Sequence, residues 1–300
     1  MTTNTADTEM FSRSGQILAA VHRYVFGLPV RGRRVLDVCE MVEARIRELG
    51  ALPAFPCNVG INEVAAHYTS PVGDRSMIPD GSIVKIDFGA EVDGFITDTA
   101  VTLSLSPAYD AMVVAVEAAL KEAIAAVTPG RRISEVGGII ERCVRSYGYK
   151  PIKDLSGHKI ERYRIHADKT VPNVSGFGRD RFEVGEVYAI EPFLTLKRAS
   201  GTIRALKDSY IYRFMTVKGA PTGDAEKLAD YIQNTYRGLP FTPRWLVERF
   251  GEETITETFK ELVRRKCVVG YPVLVEASGS VVAQAEHTIL VTEAGCRTLT

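Results

Sequence analysis

Apolar residues recur at helical spacing in two stretches that match each other. Val38, Val42, Ile46 and Leu49 form one stripe, and Val136, Ile140, Val144 and Tyr147 form the other. Each stripe ends in a glycine, Gly50 or Gly148, where a helix stops readily. The stripes open on Gly32-Arg33-Arg34-Val35 and Gly130-Arg131-Arg132-Ile133, and the two copies align without a gap. Each copy also follows another apolar-periodic segment, with Ile17, Val21 and Val25 before the first and the alanine-valine run 111–127 before the second. The pattern predicts one helix pair followed by another.

Strand-like sequence follows each pair. Ser82 to Gly89 and Phe95 to Leu105 flank Asp93-Gly94, a dipeptide suited to a two-residue hairpin turn. Further strands are predicted over Val187 to Leu196, Ser209 to Phe214 and Val281 to Val291. Two copies of helix pair plus antiparallel strands predict a pseudo-twofold α+β domain, its sheet covered on one face by helices and its other face free for a site. From about 214 to 270 the texture changes to helices punctuated by turns: Asp224 to Tyr236, Thr242 as cap with Pro243 in the first turn, and Ile255 to Lys266. The reading is a discontinuous main domain, 1–213 and 271–300, carrying a helical insert at 214–270 of loosely winged-helix arrangement.

Charge narrows the functions. Lysine plus arginine and aspartate plus glutamate each total 37, so no overall field recruits nucleic acid or an anionic membrane. Residues 221–270 carry eight basic and eight acidic side chains, which argues against a DNA-binding surface and against any specific nucleic-acid partner. The first ten residues are polar and no apolar run reaches membrane-spanning length, so a cytoplasmic protein with no membrane partner is expected. The five cysteines are scattered, and reduced thiols are expected.

Five side chains in strand or strand-edge contexts are candidate metal ligands: Asp87, Asp98, His158, Glu191 and Glu286. Singly, each has an ordinary explanation as a turn, cap or solvent-facing residue. The hairpin sharpens the first pair. A two-residue turn at Asp93-Gly94 sets Asp98 opposite Gly89, leaving Asp87 its diagonal neighbour on the same face at roughly 7–8 Å. With no lysine or arginine following closely on that face, two such carboxylates in an apolar strand environment are costly to keep ionised unless cations join them.

The order Asp, Asp, His, Glu, Glu at these spacings resembles the methionine aminopeptidases of the pita-bread fold, over nearly the whole chain. Ala54-Phe55-Pro56-Cys57-Asn58, Ala65-Ala66-His67-Tyr68-Thr69, Tyr163-Arg164-Ile165-His166-Ala167 and Gln284-Ala285-Glu286-His287-Thr288 resemble type II motifs in particular, as does the helical insert. The resemblance implies removal of the initiator methionine from nascent polypeptides, using a dinuclear metal site and a bridging water or hydroxide. It implies that Asp98 and Glu286 bridge two divalent ions, that Asp87 completes the coordination of one, and that His158 with Glu191 completes the other. Hard oxygen and nitrogen ligands suit Mn, Fe(II), Co or Zn. By the same resemblance Glu191 also shuttles a proton, His67 and His166 sit against the substrate amide and stabilise developing charge, and Phe55, Ile165 and Tyr271 receive the methionine side chain.

Nascent N-termini and a ribosome contact are the partners implied, and a monomer is expected. Two positions depart from the family pattern: Ala285 stands where phenylalanine is usual, and Asp168 where glycine is common. Weighed against this reading are a proline-directed exopeptidase of the same fold and a metal-free interaction protein that keeps the fold.

Overall fold

The computed structural model describes residues 5–218 and 222–300, so residues 219–221 of the expected insert lie outside the described residues. The first half contains α1 (Thr5–Phe26), α2 (Val35–Glu48), β1 (Leu52–Ile61), β2 (Val64–Ala66), β3 (Ile83–Val92) and β4 (Phe95–Ser104). The second half contains α3 (Asp110–Ala126), α4 (Ile133–Ser146), β5 (Tyr149–Pro151), β6 (Ser156–Ile160), β7 (Thr170–Pro172), β8 (Val187–Ile190), β9 (Phe193–Leu196) and β10 (Ile203–Phe214). Then come α5 (Asp224–Tyr236), α6 (Val247–Phe250), α7 (Glu252–Arg264), β11 (Val268–Glu276), β12 (Val282–Gln284), β13 (Glu286–Thr292) and β14 (Gly295–Thr298). No described helix is long and apolar enough to cross a membrane.

The repeated Gly-Arg-Arg segments are anchored by the same backbone bonds. Gly32 N–H donates to Ile78 and Ile78 N–H to Arg33, just as Gly130 N–H donates to Phe182 and Phe182 N–H to Arg131. Helices α2 and α4 then end where Gly50 and Gly148 take φ of 86° and 84°. The step from Ile78 to Phe182 also carries Asp87 onto Glu191, so the pseudo-twofold relation reaches the candidate site.

The main sheet runs β1-β3-β4-β13-β8-β6-β7, with β14 paired to β13. Helices α1 and α2 bury Val21, Val38, Val42 and Ile46 against Val84, Ile86 and Phe88. Helices α3 and α4 bury Val116, Val136, Ile140 and Val144 against Tyr188, Ile190 and Ile289. Each such side chain contributes about 1.5–3 kcal/mol. The halves meet between β4 and β13, where threonines splint the seam. The Thr288 hydroxyl accepts from Asp98 N–H at 2.7 Å and donates to Asp98 O at 2.8 Å. Thr102 treats the backbone of Gln284 in the same way, at 2.9 and 2.6 Å.

Two expected strands are each broken. Val187 to Leu196 splits into β8 and β9 at Glu191-Pro192, and Val281 to Val291 splits into β12 and β13 at Ala285. Pro192 cannot donate to a ladder, and beyond these breaks β9 and β12 leave the main sheet to pair with each other and with β5. Both breaks adjoin a candidate glutamate.

Helices α5, α6 and α7, entered from β10 and left through β11, enclose their own apolar cluster with Leu228, Phe241, Leu246, Phe259 and Leu262. Thr242 does precede a helical turn, Pro243–Leu246, but the turn is 3₁₀ and the Thr242 hydroxyl makes no capping bond. A buried ion pair ties this region to the rest. Glu43 of α2, 1% exposed, accepts from Arg244 at 2.8 and 3.0 Å, from Trp245 Nε1 at 2.7 Å and from Cys57 N–H at 3.1 Å. Arg244 also donates to Ser70 O at 3.1 Å. Glu43→Ala leaves the guanidinium buried without its partner, so a loss of about 3–5 kcal/mol is expected. A urea midpoint close to wild type would show that the pair does not hold the helices in place.

Candidate metal centre

Strand register brings the five proposed ligands together. Asn58 of β1 pairs with Asp87 of β3, Asp87 with Ala100 of β4, and Ala100 with Glu286 of β13. Ile190 pairs with His287, so Glu191, one residue on, stands across from Glu286. Two residues away on the same face lies a second row. Phe55 pairs with Gly89, Gly89 with Asp98, Thr288 with Ala189, and Ala189 with His158. Gly89 is required there because a Cβ would come within 2.4 Å of the Phe55 ring.

The site is crowded with acid and short of partners. His158 Nε2 is 3.7 Å from Asp98 Oδ2 and 3.5 Å from Glu191 Oε1. Ligand atoms of Asp98, His158 and Glu286 lie within 4.8 Å of one another. Asp98 Oδ1, Glu286 Oε1 and His158 Nδ1 are buried with no hydrogen-bond partner among the described residues. Burial raises Asp87 to about 7, against the pull of Gln284. Burial, then the neighbouring carboxylates, raises Asp98, Glu191 and Glu286 well above the usual range. Burial, then His166, holds His158 well below the ordinary imidazole value and therefore neutral. Orphaned oxygens beside a neutral imidazole are the donor set a hard divalent cation needs.

Two groups that sequence reasoning missed complete the surroundings. Gln284 Nε2 is within donating distance of Asp87, Glu191 and Glu286, at 3.2, 3.4 and 3.3 Å. Its place two residues before Glu286, hence on the same strand face, was the available signal. Lys85 shares the face of Asp87 and is 1% exposed, yet its ammonium turns to Asn62 O and Val282 O at 3.1 and 3.0 Å. It neutralises none of the ligands directly.

Above the acids opens a cleft whose walls include Phe55, His67, Ile165, His166, Tyr271, Ile211 and Pro240. Asp87, Asp98, His158 and Glu191 reach it, while Glu286 lies beneath, 1% exposed. His67 holds a left-handed φ of 66°, an unfavourable backbone for a non-glycine residue, and its Nδ1 is 3.2 Å from Pro272 O. Burial lowers its pKa. His166 is exposed at the cleft, yet the protein crowded around it pushes its imidazole to about 4, with the charges of His67 and Arg213 adding to the effect.

Extended-chain spacing sets His158 and His166 too far apart to share one ion but near enough to line one cleft, and both do line it. The separation is smaller than an extended chain would give, with the two rings in contact and their centroids 4.4 Å apart. The chain turns back between them, where Glu161 and Arg164 bridge and Ala167 N–H donates to Lys159.

The model for metallopeptidase family M24 matches residues 9–293. A methionine aminopeptidase of Methanocaldococcus jannaschii is 42% identical over 287 residues, 96% of each chain. The chain belongs to the methionine aminopeptidases of metallopeptidase family M24. Solved structures agree on the fold. A methionine aminopeptidase from Thermotoga maritima superposes with a TM-score of 0.72 at 24% identity, covering 100% of this chain and 98% of the other. A thermophilic Arx1 gives 0.83 at 19%, covering 99% and 91%. The pita-bread fold and divalent-metal dependence follow for this methionine aminopeptidase family member.

Its two departures are placed differently. Ala285 is buried, in the core under α3 and α4. Asp168 is exposed and pairs with Lys159 at 3.4 Å.

Metal removal is expected to leave the ligand carboxylates opposing the fold at neutral pH. Their folded pKa values are raised above the unfolded values near 4, so from about pH 4 to 7 these carboxylates bind more protons in the metal-free folded state than in the unfolded one. Their contribution to stability then falls as pH rises through that window, opposite in sign to that of the buried histidines, whose pKa values are lowered. Divalent cations should raise the melting temperature far more at pH 7.5 than at pH 5. Equal gains at both pH values would mean these carboxylates do not hold the ion.

Proposed function

We propose that this chain removes the N-terminal methionine from newly made polypeptides, with Asp87, Asp98, His158, Glu191 and Glu286 holding two divalent ions of Mn, Fe(II), Co or Zn. The observation that carries the reading is the convergence of hard donors, three of their atoms orphaned, at the closed end of one cleft. Divalent ions held there would supply Lewis-acid chemistry, activating water and polarising the scissile carbonyl.

The protein's own groups do the rest. The cleft ends on the sheet at Asp98 and Glu286, 3% and 1% exposed, so a chain terminus can enter but a chain cannot pass through. Phe55, Ile165 and Tyr271 receive the methionine side chain. Glu191, at the cleft floor, takes a proton from the attacking water and returns it to the leaving amine. A carbonyl only accepts, so His67 Nδ1 keeps the proton facing Pro272 O, which leaves Nε2 to accept from the substrate amide N–H. That points oxyanion donation to His166 alone.

Pro240 brings the insert, which we delimit as 214–270, into one cleft wall. In this reading the enzyme works as a monomer in the cytoplasm, in contact with the ribosome where such N-termini emerge.

The test is peptide hydrolysis by chelator-stripped protein reloaded with each candidate metal. Methionine release from Met-Ala-Ser, with none of the first residue from Ala-Pro peptides, is expected. Preferential cleavage of Ala-Pro would favour the proline-directed reading, and failure to bind any of the ions would favour the interaction protein.

A further inference from the structure

The cleft continues past His166. A second cavity shares Ile165, His166 and Tyr271 with the first and adds Arg164, Arg213 and Gly270. The β10–β11 ladder explains the continuation. Ile211 pairs with Tyr271 in the first cavity, and Arg213 pairs with Val269 one two-residue step further on. Residues two apart share a strand face, about 6.6 Å along it, which is also the same-side repeat of an extended peptide. A substrate leaving the closed end in extended form would therefore carry its side chains past Arg213 with matching spacing.

The charge of this extension is one-sided. None of its lining residues is acidic. Arg164 has Glu161 at 3.6 Å, with both side chains partly exposed, whereas Arg213 has no ion-pair partner among the described residues. Arg213 is also near enough for its charge to act on His166 and Tyr271, two of the three residues common to both cavities.

We infer that this extension is a subsite for a carboxylate on the leaving side of the scissile bond, favouring polypeptides with aspartate or glutamate in the second or third place after the initial methionine. The inference rests on the methionine aminopeptidase reading, because it takes the methionine to lie against Phe55, Ile165 and Tyr271. The guanidiniums face solvent, so the gain is modest and salt-sensitive.

The experiment uses the metal-loaded whole chain and C-terminally amidated Met-Ala-Xaa-Ser-Gly peptides in which Xaa is Glu, Gln or Lys. Met-Ala-Ser is run beside them as free acid and as amide. The expected order is Glu above Gln above Lys, with Glu exceeding Gln about three- to tenfold in kcat/KM, mostly through KM. In 0.5 M NaCl the difference should shrink to about twofold or less. Arg213→Glu should reverse the order, and Arg213→Gln, the milder change should the reversal fail to fold, should flatten it.

Equal kcat/KM for all three peptides, or an order that survives both Arg213 variants, would overturn the subsite while leaving methionine release intact. A gain confined to the free-acid tripeptide would overturn the side-chain assignment, since the carboxylate would then be a short peptide's C-terminus. No release from any peptide would instead overturn the reading on which the subsite rests.

Discussion

Glu286→Ala and Asp98→Ala are each expected to abolish metal-dependent methionine release and to reduce bound metal to one ion or none. Both carboxylates are almost wholly buried, and each has an oxygen with no hydrogen-bond partner among the described residues. Each also lies on the central β4–β13 seam, with Asp87 to one side and Glu191 to the other. If two ions are held as proposed, a ligand on that seam can serve both, so its loss should not be confined to one. Stability supplies a second readout. Alanine removes a buried acid that burial already disfavours in its charged form, so the metal-free variants should melt no lower than metal-free wild type at pH 7.5. What they should lose is the stabilisation gained on adding metal. Near wild-type rates with two tightly bound ions in either variant would refute the ligand assignment.

His166→Ala is expected to lower kcat by roughly 10²–10³, the range found when one oxyanion donor is removed. With Pro272 O accepting from His67 Nδ1, His166 is the histidine proposed to donate toward a developing oxyanion. Metal content should stay unchanged. The control is needed because the rings of His158 and His166 are only 4.4 Å apart, close enough for truncation of one to disturb the other. Bound metal, kcat and melting temperature should therefore be measured on one preparation. Loss of metal would make His166 a support of the ligand shell, and lower stability with unchanged kcat would make it structural.

Much of the architecture was legible because its determinants are local. The helix stripes beginning at Val38 and Val136 repeat every three or four residues, and Gly50 and Gly148 end them by adopting backbone that other residues avoid. The register of the β3–β4 hairpin was legible for the same reason. Asp93 and Gly94 both take positive φ, at 52° and 84°, and a two-residue turn of that kind leaves one alignment of the flanking strands, with Asp98 opposite Gly89 as expected. The candidate ligands were legible mainly through family resemblance. Without it, only Asp87 and Asp98 were linked by geometry.

Tertiary structure alone decided how the remaining ligands meet. That β4 lies beside β13, and β13 beside β8, depends on pairings between residues far apart in the chain, which no local period encodes. The breaks at Glu191-Pro192 and Ala285 looked like continuous strand because both flanks are apolar; Pro192 is a local cause of the first, but the departure of β9 and β12 to another sheet depends on distant pairings. The same holds for the amide of Gln284 among three carboxylates, the contact of His158 with His166, and the Glu43–Arg244 pair. Sequence by itself determined the elements, the hairpin alignment and the types of donor available, since these follow from turn geometry, helical period and side-chain chemistry. Their convergence on one buried point, and the basic passage leading from it, followed only from the order in which distant strands pair.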